Sequence, residues 1–473
     1  MNAFKIKIDR VKVVSFSLAV IVLTQSGCAR VHSQSASNAG QQVKTQFTAP
    51  DPGQVVLAAL GGTSELDGKI ARQQERVRAA KDRFPAFEQL GWLFVAKARA
   101  SFDPGYYRLA EQCALAMNAL QSDAPEALLL RGHALQNLHR FKEAEPLARE
   151  LVSKRGQSFD FGLLGDSLLE QGRLDEAVAA YQRMVDLRPD LQAYARVGYI
   201  RWLKGDTQGA IQMMHVAVEA SSQNDPDSAA WVCTRLALLQ FQSGRDDEAR
   251  SAIDAALLIR PNYPPALLLR GRMLLAGKQA DEAVAALQTA AKANPLPEYQ
   301  WALAEGLRAA GREPEATKVE ARLQISGAAN DPRTFALFLA TRGEDPATAV
   351  RLGEAEMRQR QDIFTQDALA WALTSAGRVD EARPHMKLAL AEGTEDGRLF
   401  FHAAVIARRA GQADESKKWF TRAAGFIQTL LPSEREQFLK LAEDFPASNE
   451  IAGQPTMTHD LTTINFGLVN KQQ

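Results

Sequence analysis

The sequence predicts an all-α protein, a solenoid of about ten stacked helical hairpins, and three observations lead to this prediction. A small residue recurs every 33 or 34 residues, with a single gap of 39 between Ala210 and Ala249. A second position, small in nine of ten copies, lies 12 residues before each of these, and a glycine lies five or six residues before most of them. A fixed period of this length is typical of stacked helical units, none of which can bury its apolar face alone. The recurring small residues are Ala110, Ala144, Ala177, Ala210, Ala249, Ala283, Ala316, Ala349, Ala382 and Ser416; the second positions are Ala98, Gly132, Gly165, Gly198, Ala237, Gly271, Ala304, Leu337, Ala370 and Ala404; the glycines are Gly105, Gly172, Gly205, Gly244, Gly277, Gly311, Gly343, Gly377 and Gly411.

Each part of the repeat has a physical reason. The second position is predicted to lie in the middle of the first helix, where a bulky side chain would hold the neighbouring helix away. The glycine is predicted to end that helix in the left-handed conformation, which residues with a Cβ atom resist. An acidic residue at the start of the second helix complements the helix dipole. These acidic residues are Glu143, Glu176, Glu248, Glu282 and Glu381.

The best-defined copy spans residues 161–189 and carries the apolar stripe of a helical hairpin. Its residues resemble a tetratricopeptide repeat, which has a small residue in each helix, a turn glycine, an aromatic residue in the second helix and a closing proline. The resemblance covers about residues 91–430 and implies a right-handed superhelix whose concave face holds a protein or peptide partner. The matching residues in this copy are Phe161, Gly165, Gly172, Ala177, Tyr181 and Pro189.

Two departures from the repeat are informative. The long gap places extra polar residues at 221–227, which suggests a hinge between two sub-arrays. The copy at 334–358 is predicted to be the weakest, because Leu337 replaces a small residue and Gly353 and Glu356 stand where apolar side chains are expected.

The first 27 residues predict a secretory signal peptide. Basic residues precede an apolar run over 13–23, and Ser26 and Gly27 follow it directly before Cys28. This run is too short to cross a bilayer, which needs about 20 residues. The ending resembles a bacterial lipobox, which implies a lipid on Cys28, although Gln25 stands where the pattern prefers an aliphatic residue.

The same segment predicts a location in the bacterial cell envelope. Ala29, directly after Cys28, resembles the residue found in lipoproteins sent to the outer membrane, and the chain is expected to be anchored there facing the periplasm. The alternative is ordinary cleavage near Ala29, which would give a soluble secreted or periplasmic protein.

The rest of the chain divides by composition and period. Residues 28–62 are predicted to hold the lipidated cysteine and a flexible tether, because they are polar and aperiodic. Residues 63–90 and 431–445 are predicted to be capping helices at the two ends of the array, which spans 91–430. Residues 446–473 are predicted to form an irregular tail.

Composition and motifs exclude several functions. The formal net charge is +0 and the pI is about 7.1, so nucleic-acid binding is not expected. The seven histidines form no metal-binding motif, and no catalytic or cofactor-binding motif occurs, so we predict neither an enzyme nor a bound cofactor or metal. Cys113 and Cys233 lie several repeats apart and are predicted to be buried and unbridged.

The aromatic residues suggest where a partner binds. In the resemblance, the first helix of each hairpin lines the concave surface, and residues one after, or three before or after, the second position face it. Tryptophan and tyrosine are preferred anchors at interfaces. The aromatics here are expected to be partly exposed, whereas Trp92 and Trp419 are expected to be packed. The predicted partner-binding groove consists of Tyr199, Trp202, Trp231, Phe241, Trp301, Phe338, Phe364, Trp371 and Phe401.

Two functions fit these residues. The first is an exported, lipid-anchored scaffold that holds a protein or peptide in its groove during envelope assembly or export. The alternative is an envelope lipoprotein whose groove aromatics stack on glycan or polysaccharide rings. Few polar residues occupy groove positions, which favours a protein or peptide.

Overall fold

The computed structural model describes residues 51–445, and within that range the chain consists of helices without strands. Two flanking helices come first, the short α1 (Pro52–Val55) and the longer α2 (Glu65–Ala79). Ten antiparallel helical pairs follow, and we call the first helix of each pair inner and the second outer. The inner helices are α3 (Phe84–Ser101), α5 (Pro125–Asn137), α7 (Ser158–Glu170), α9 (Leu191–Leu203), α11 (Pro226–Gln242), α13 (Pro264–Ala276), α15 (Pro297–Ala309), α17 (Pro332–Arg342), α19 (Ile363–Ser375) and α21 (Gly397–Arg409). The outer helices are α4 (Gly105–Leu120), α6 (Phe141–Lys154), α8 (Leu174–Leu187), α10 (Thr207–Glu219), α12 (Asp246–Ile259), α14 (Ala280–Ala293), α16 (Glu313–Asn330), α18 (Pro346–Gln359), α20 (Val379–Ala389) and α22 (Ala413–Ala424).

The described part of the chain ends with a 3₁₀ helix (Ile427–Thr429) and α23 (Pro432–Ala442). At the other end, α2 begins with a capping box in which Ser64 and Asp67 satisfy each other's backbone amides. The first inner helix starts at Phe84, so the predicted array boundary at residue 91 falls inside a helix. The predicted all-α solenoid is confirmed.

The recurring small residues pack as the period predicts. Every one of the ten on the outer helices, from Ala110 to Ser416, is 0% exposed. The positions on the inner helices are buried as well, and they leave no room for a larger side chain. A Cβ atom added at Gly165 would lie 2.4 Å from the Tyr181 ring, and one at Gly271 would lie 2.4 Å from Leu287. Small residues therefore set how closely the two helices of a pair approach.

Most of the turn glycines end an inner helix as predicted. Gly172, for example, has φ +75°, in the left-handed region that favours glycine. The prediction is wrong for Gly105, which begins α4, and for Gly277, whose φ is −80°. In those two turns the left-handed residues are Phe102 and Lys278.

The two irregular copies are well packed. The 39-residue gap lengthens α11 to 17 residues, compared with 13 in α9 and α13. Leu337 is buried in α17. Gly353 lies against the next inner helix, where a Cβ atom would come within 3.2 Å of the Leu369 backbone. The glycine thus permits close contact between α18 and α19.

The solenoid closes on itself, because the carboxyl ends of several inner helices contact residues that follow 96 to 191 positions later. The last backbone carbonyl groups of a helix have no N–H donor within that helix. Here three of them accept hydrogen bonds from residues 187 to 191 positions later, in the next superhelical turn, and two accept from the terminal helix α23; we call this interface the seam. The bonds join Glu170 O to Gln361 N (2.9 Å), Leu203 O to the Thr394 hydroxyl (2.5 Å), Phe241 O to Gln428 Nε2 (3.3 Å), Leu275 O to Arg435 Nη1 (3.3 Å) and Thr341 O to Gln437 Nε2 (2.8 Å).

Candidate functional site

All nine predicted groove residues lie on inner helices, but closure of the superhelix changes what surrounds them. The expected exposure is wrong for six, which are between 0% and 4% exposed. Neighbouring inner helices and the seam cover these side chains, so they form part of the core. The six are Trp202, Phe241, Trp301, Phe338, Trp371 and Phe401.

Trp301 shows how a predicted groove residue becomes core. Its indole nitrogen donates to Glu305 Oε1 at 3.1 Å, and its ring meets that of Phe338 edge-on with centroids 5.8 Å apart. The Arg398 guanidinium, from the tenth pair, lies 5.3 Å from the Trp301 ring centroid. Side chains from three inner helices thus enclose it.

Trp371 is enclosed in the same way. The His402 ring stacks on it with centroids 4.0 Å apart and planes 10° apart. Its indole nitrogen donates to the Thr341 hydroxyl at 3.0 Å, and Asp367 holds His402 with an Oδ1–Nδ1 distance of 2.8 Å. One face and the polar edge of this indole therefore already have partners, and the side chain is 4% exposed.

The remaining three predicted residues, Tyr199, Trp231 and Phe364, are half-buried and belong to one hydrophobic cluster. Trp202 joins them, since its ring centroid lies 5.7 Å from both Tyr199 and Phe364. The stack joins the fourth pair to the ninth. We call Tyr199, Trp202, Trp231, Phe364 and the neighbouring Arg235 the inner patch.

Arg235 is the polar member of the inner patch. Its guanidinium lies 5.3 Å from the Tyr199 ring centroid and 5.9 Å from that of Trp202. Burial lowers the pKa of Arg235, and Tyr199 and Glu298 compensate only in part. Residue Trp231 stands one helical turn earlier, on the same face of α11. The patch therefore combines aromatic surface with a positive charge.

Sequence reasoning missed Arg235, although a signal existed. Arg196 and Arg235 both stand two residues before the small position of their inner helix, at Gly198 and Ala237. Neither arginine is aromatic, and neither lies at an offset that is predicted to face the concave surface, so the groove pattern does not include them.

The seam also carries a buried ionic cluster that the sequence did not predict. Arg360, 1% exposed, pairs with Glu356 at 2.9 Å and with Glu170 at 3.6 Å, and Arg333 pairs with Asp362 at 3.2 Å. Burial raises the pKa of Glu170 to about 7, and the nearby Asp362 carboxylate adds to the increase. The cluster fixes the third pair against the junction of the eighth and ninth.

The two remaining tryptophans are less buried than predicted. Trp92 and Trp419 are both half-buried. Trp419 stacks on Phe400 with centroids 5.7 Å apart, and Lys418 Nζ lies 4.5 Å from its ring centroid. Trp301 and Trp371, which were expected to be exposed, are thus more buried than Trp92 and Trp419, which were expected to be packed.

The predicted lipidation site Cys28, the signal peptide and most of the tether lie outside the described residues. Within 51–445, no helix has the length and apolar character needed to cross a membrane. Cys113 and Cys233 are buried and free, as predicted.

Comparison with known proteins identifies the repeats. Residues 163–229 and 234–296 match the tetratricopeptide repeat family, whose members generally act as non-catalytic scaffolds for protein–protein interaction. No curated protein sequence matches the chain.

Several solved structures align with the chain at low sequence identity. Yeast Tom70 is 15% identical, with 83% of this chain and 94% of that chain covered and a TM-score of 0.32. The human IFIT1 dimer with PPP-AAAA is 14% identical, with 79% and 93% covered and a TM-score of 0.43. A tetratricopeptide repeat protein from Parabacteroides merdae is 15% identical, with 54% and 98% covered and a TM-score of 0.31.

Proposed function

We propose that these tetratricopeptide repeats form an exported, lipid-anchored scaffold that binds a protein or peptide partner through the inner patch. The observation that carries the proposal is that Tyr199, Trp231 and Phe364 keep accessible surface on the inner wall while the other predicted aromatics are covered. Aromatic residues that are held rigidly and are partly exposed are typical interface anchors.

The geometry favours a narrow ligand over a broad surface. Closure at the seam brings the fourth, fifth and ninth pairs around the patch, through the Trp202–Phe364 stack and the bond from Trp202 Nε1 to Glu395 O at 3.3 Å. Such an enclosure suits an extended segment or a single helix of a partner protein.

The cellular location in this proposal rests on the first 30 residues. The signal-like segment, the lipobox-like ending at Cys28 and the following Ala29 support an outer-membrane lipoprotein that faces the periplasm, with a role in envelope assembly or export. If Cys28 carries the lipid, Cys28→Ala will release the protein from membrane pellets and abolish metabolic palmitate labelling. Membrane fractionation that does not change, together with an unlabelled wild-type protein, would contradict the anchor.

A glycan ligand is less well supported by the patch. Stacking on a sugar ring requires an open aromatic face, but Phe364 stacks on Trp202 and His402 stacks on Trp371. The arginines that lie over Tyr199 and Trp301 reduce the open area further.

Site-directed photo-crosslinking tests the patch. A photoreactive amino acid is placed at Trp231 and, as the matched control, at Trp419, a half-buried tryptophan on the outer helix α22. We expect a discrete crosslinked partner band from position 231 in intact cells and none from 419. The same band from both positions, or from neither, would rule out the inner patch as the binding site.

A further inference from the structure

Arg235, on the inner helix α11, differs in its partners from the equivalent arginine of the preceding repeat. Arg196 and Arg235 occupy the same position, two residues before the small residue of α9 and α11. Arg196 makes a bidentate pair with Asp166 on the preceding inner helix, with nitrogen–oxygen distances of 2.9 and 2.8 Å. The residue of α9 that corresponds to Asp166 is Tyr199, which has no carboxylate.

The two arginines therefore differ in electrostatic environment. Burial lowers the pKa of Arg196, but Asp166 outweighs burial and the net shift is upward. Burial also lowers the pKa of Arg235, and here the net shift is downward. The carboxylate that acts on Arg235 is Glu298, which pairs with Arg272 at 3.6 Å. Within residues 51–445, no carboxylate forms an ion pair with Arg235.

An enclosed guanidinium without a counter-ion is costly, because burial of a charge is compensated mainly by pairing and hydrogen bonding. The rings of Tyr199 and Trp202 offset only part of this cost, through cation–π attraction. The Arg235 side chain is half-buried, so a ligand can reach it. Arginine offers a planar set of donors that matches a carboxylate in two-point contact. An anionic group on a ligand would pair with Arg235 as Asp166 pairs with Arg196.

We propose that Arg235 receives an acidic side chain of the partner, and that the inner patch therefore recognises a peptide segment in which Asp or Glu stands beside an aromatic or aliphatic residue. This inference rests on the proposed function of the inner patch. The partly exposed aromatic members Tyr199 and Trp231 contact the apolar residue of the peptide, and the Arg235 guanidinium binds its acidic side chain. A peptide fits better than a small anion, because both kinds of surface lie within one patch.

A random 12-residue peptide library displayed on phage tests the requirement on the full chain. Wild type is expected to select peptides with Asp or Glu at a fixed distance from an apolar residue. Replacing that acid by its amide in a synthetic peptide should weaken binding about tenfold or more, as expected for a hydrogen bond to a charged group. Arg235→Gln should bind the acid and amide peptides equally, within about twofold, and Arg235→Lys should retain part of the preference.

Arg196→Gln provides the matched control. It removes the partner of Asp166, so we expect a lower melting temperature with the acid preference unchanged, whereas Arg235→Gln should not lower the melting temperature. This inference would be overturned if the peptides that wild type selects are not enriched in Asp or Glu, or if the preference for acid persists in Arg235→Gln. The proposed function would stand in either case. Failure of wild type to select any peptide, or selected peptides that bind Trp231→Ala as well as wild type, would overturn both.

Discussion

At the scale of single residues, the small positions of the repeat are fixed by contact distance. Gly165 faces the Tyr181 ring so closely that even a methyl group has no space. The hydroxyl of Tyr181 donates in turn to Asp166 at 2.7 Å, so the ring cannot move away without breaking a partly buried hydrogen bond.

We therefore expect Gly165→Leu to destabilise the protein by about 1–3 kcal/mol through overpacking. Ala347→Leu is the control, because Ala347 is exposed at the start of α18. Urea or thermal unfolding should show a clear loss for the first variant and little change for the second. Unfolding curves that coincide would mean that the position at 165 is not sterically limited.

Burial also reverses the expected role of Trp301. Because its ring is enclosed by Phe338 and Arg398, Trp301→Ala should cost about 3–5 kcal/mol of unfolding free energy. Trp419→Ala, at a half-buried ring, should cost clearly less. A small loss at 301 measured by chemical denaturation would indicate that this tryptophan lies on an open surface after all.

At the scale of helices, the carboxyl ends of five inner helices are completed by residues from distant parts of the chain. In most proteins these last carbonyls are satisfied by local capping or by water. Here Gln428, Arg435 and Gln437 donate to three of them. The seam thus contains many polar groups, and its ionic cluster is expected to respond to pH.

Glu170 determines the direction of that response. Its pKa in the folded protein is raised from 4.5 to about 7, so the folded state binds the proton more tightly than the unfolded state. Stability contributed by this group is complete below about pH 4.5 and is lost as the pH rises through about 7. The melting temperature of wild type should therefore fall relative to that of Glu170→Gln as the pH rises from 5 to 8.

Comparison with a second variant isolates this effect from the titration of buried histidines. Burial lowers the pKa of His133 and His139, and their contribution has the opposite pH dependence. They are present in both proteins, so they cancel in the difference. Glu176→Gln, at an exposed carboxylate on α8, should show no such shift over pH 5 to 8. An identical pH dependence for wild type and Glu170→Gln would refute the assignment.

At the scale of the whole molecule, closure makes residues far apart in sequence energetically coupled. Trp202 and Phe364 stack across the superhelix with centroids 5.7 Å apart. A double-mutant cycle with Trp202→Ala and Phe364→Ala should give a coupling of about 0.5–1.5 kcal/mol, as for an aromatic pair. Trp202→Ala combined with Phe400→Ala should be additive, since Phe400 packs on Trp419 and Phe426 elsewhere.

The sequence predicted the local structure because local structure is what the period encodes. Small residues such as Ala177, turn glycines such as Gly377 and first-turn acids such as Glu381 all act within one helical pair. The prediction of a left-handed glycine is wrong at Gly277, because Lys278 takes the left-handed conformation in that turn. Nearest-neighbour patterns are sufficient for such features.

Closure could not be predicted in this way. The meeting of Trp202 with Phe364 depends on small rotations between successive pairs, which accumulate over five repeats before the two rings come together. No single repeat contains that information, so the sequence pattern alone predicts an open surface for the groove aromatics. The same limit applies to Arg235. Its significance depends on Tyr199, which has no carboxylate to pair with it.

The seam has one further consequence, which concerns the number of repeats. An open solenoid can gain or lose a unit with little effect on the others, since each unit touches only its neighbours. In this protein, deletion of the pair α13–α14 would move every later donor by one unit, so that Thr394 would no longer reach Leu203. The seam thus acts as a ruler: it permits one length of array between the third and ninth pairs and penalises all others.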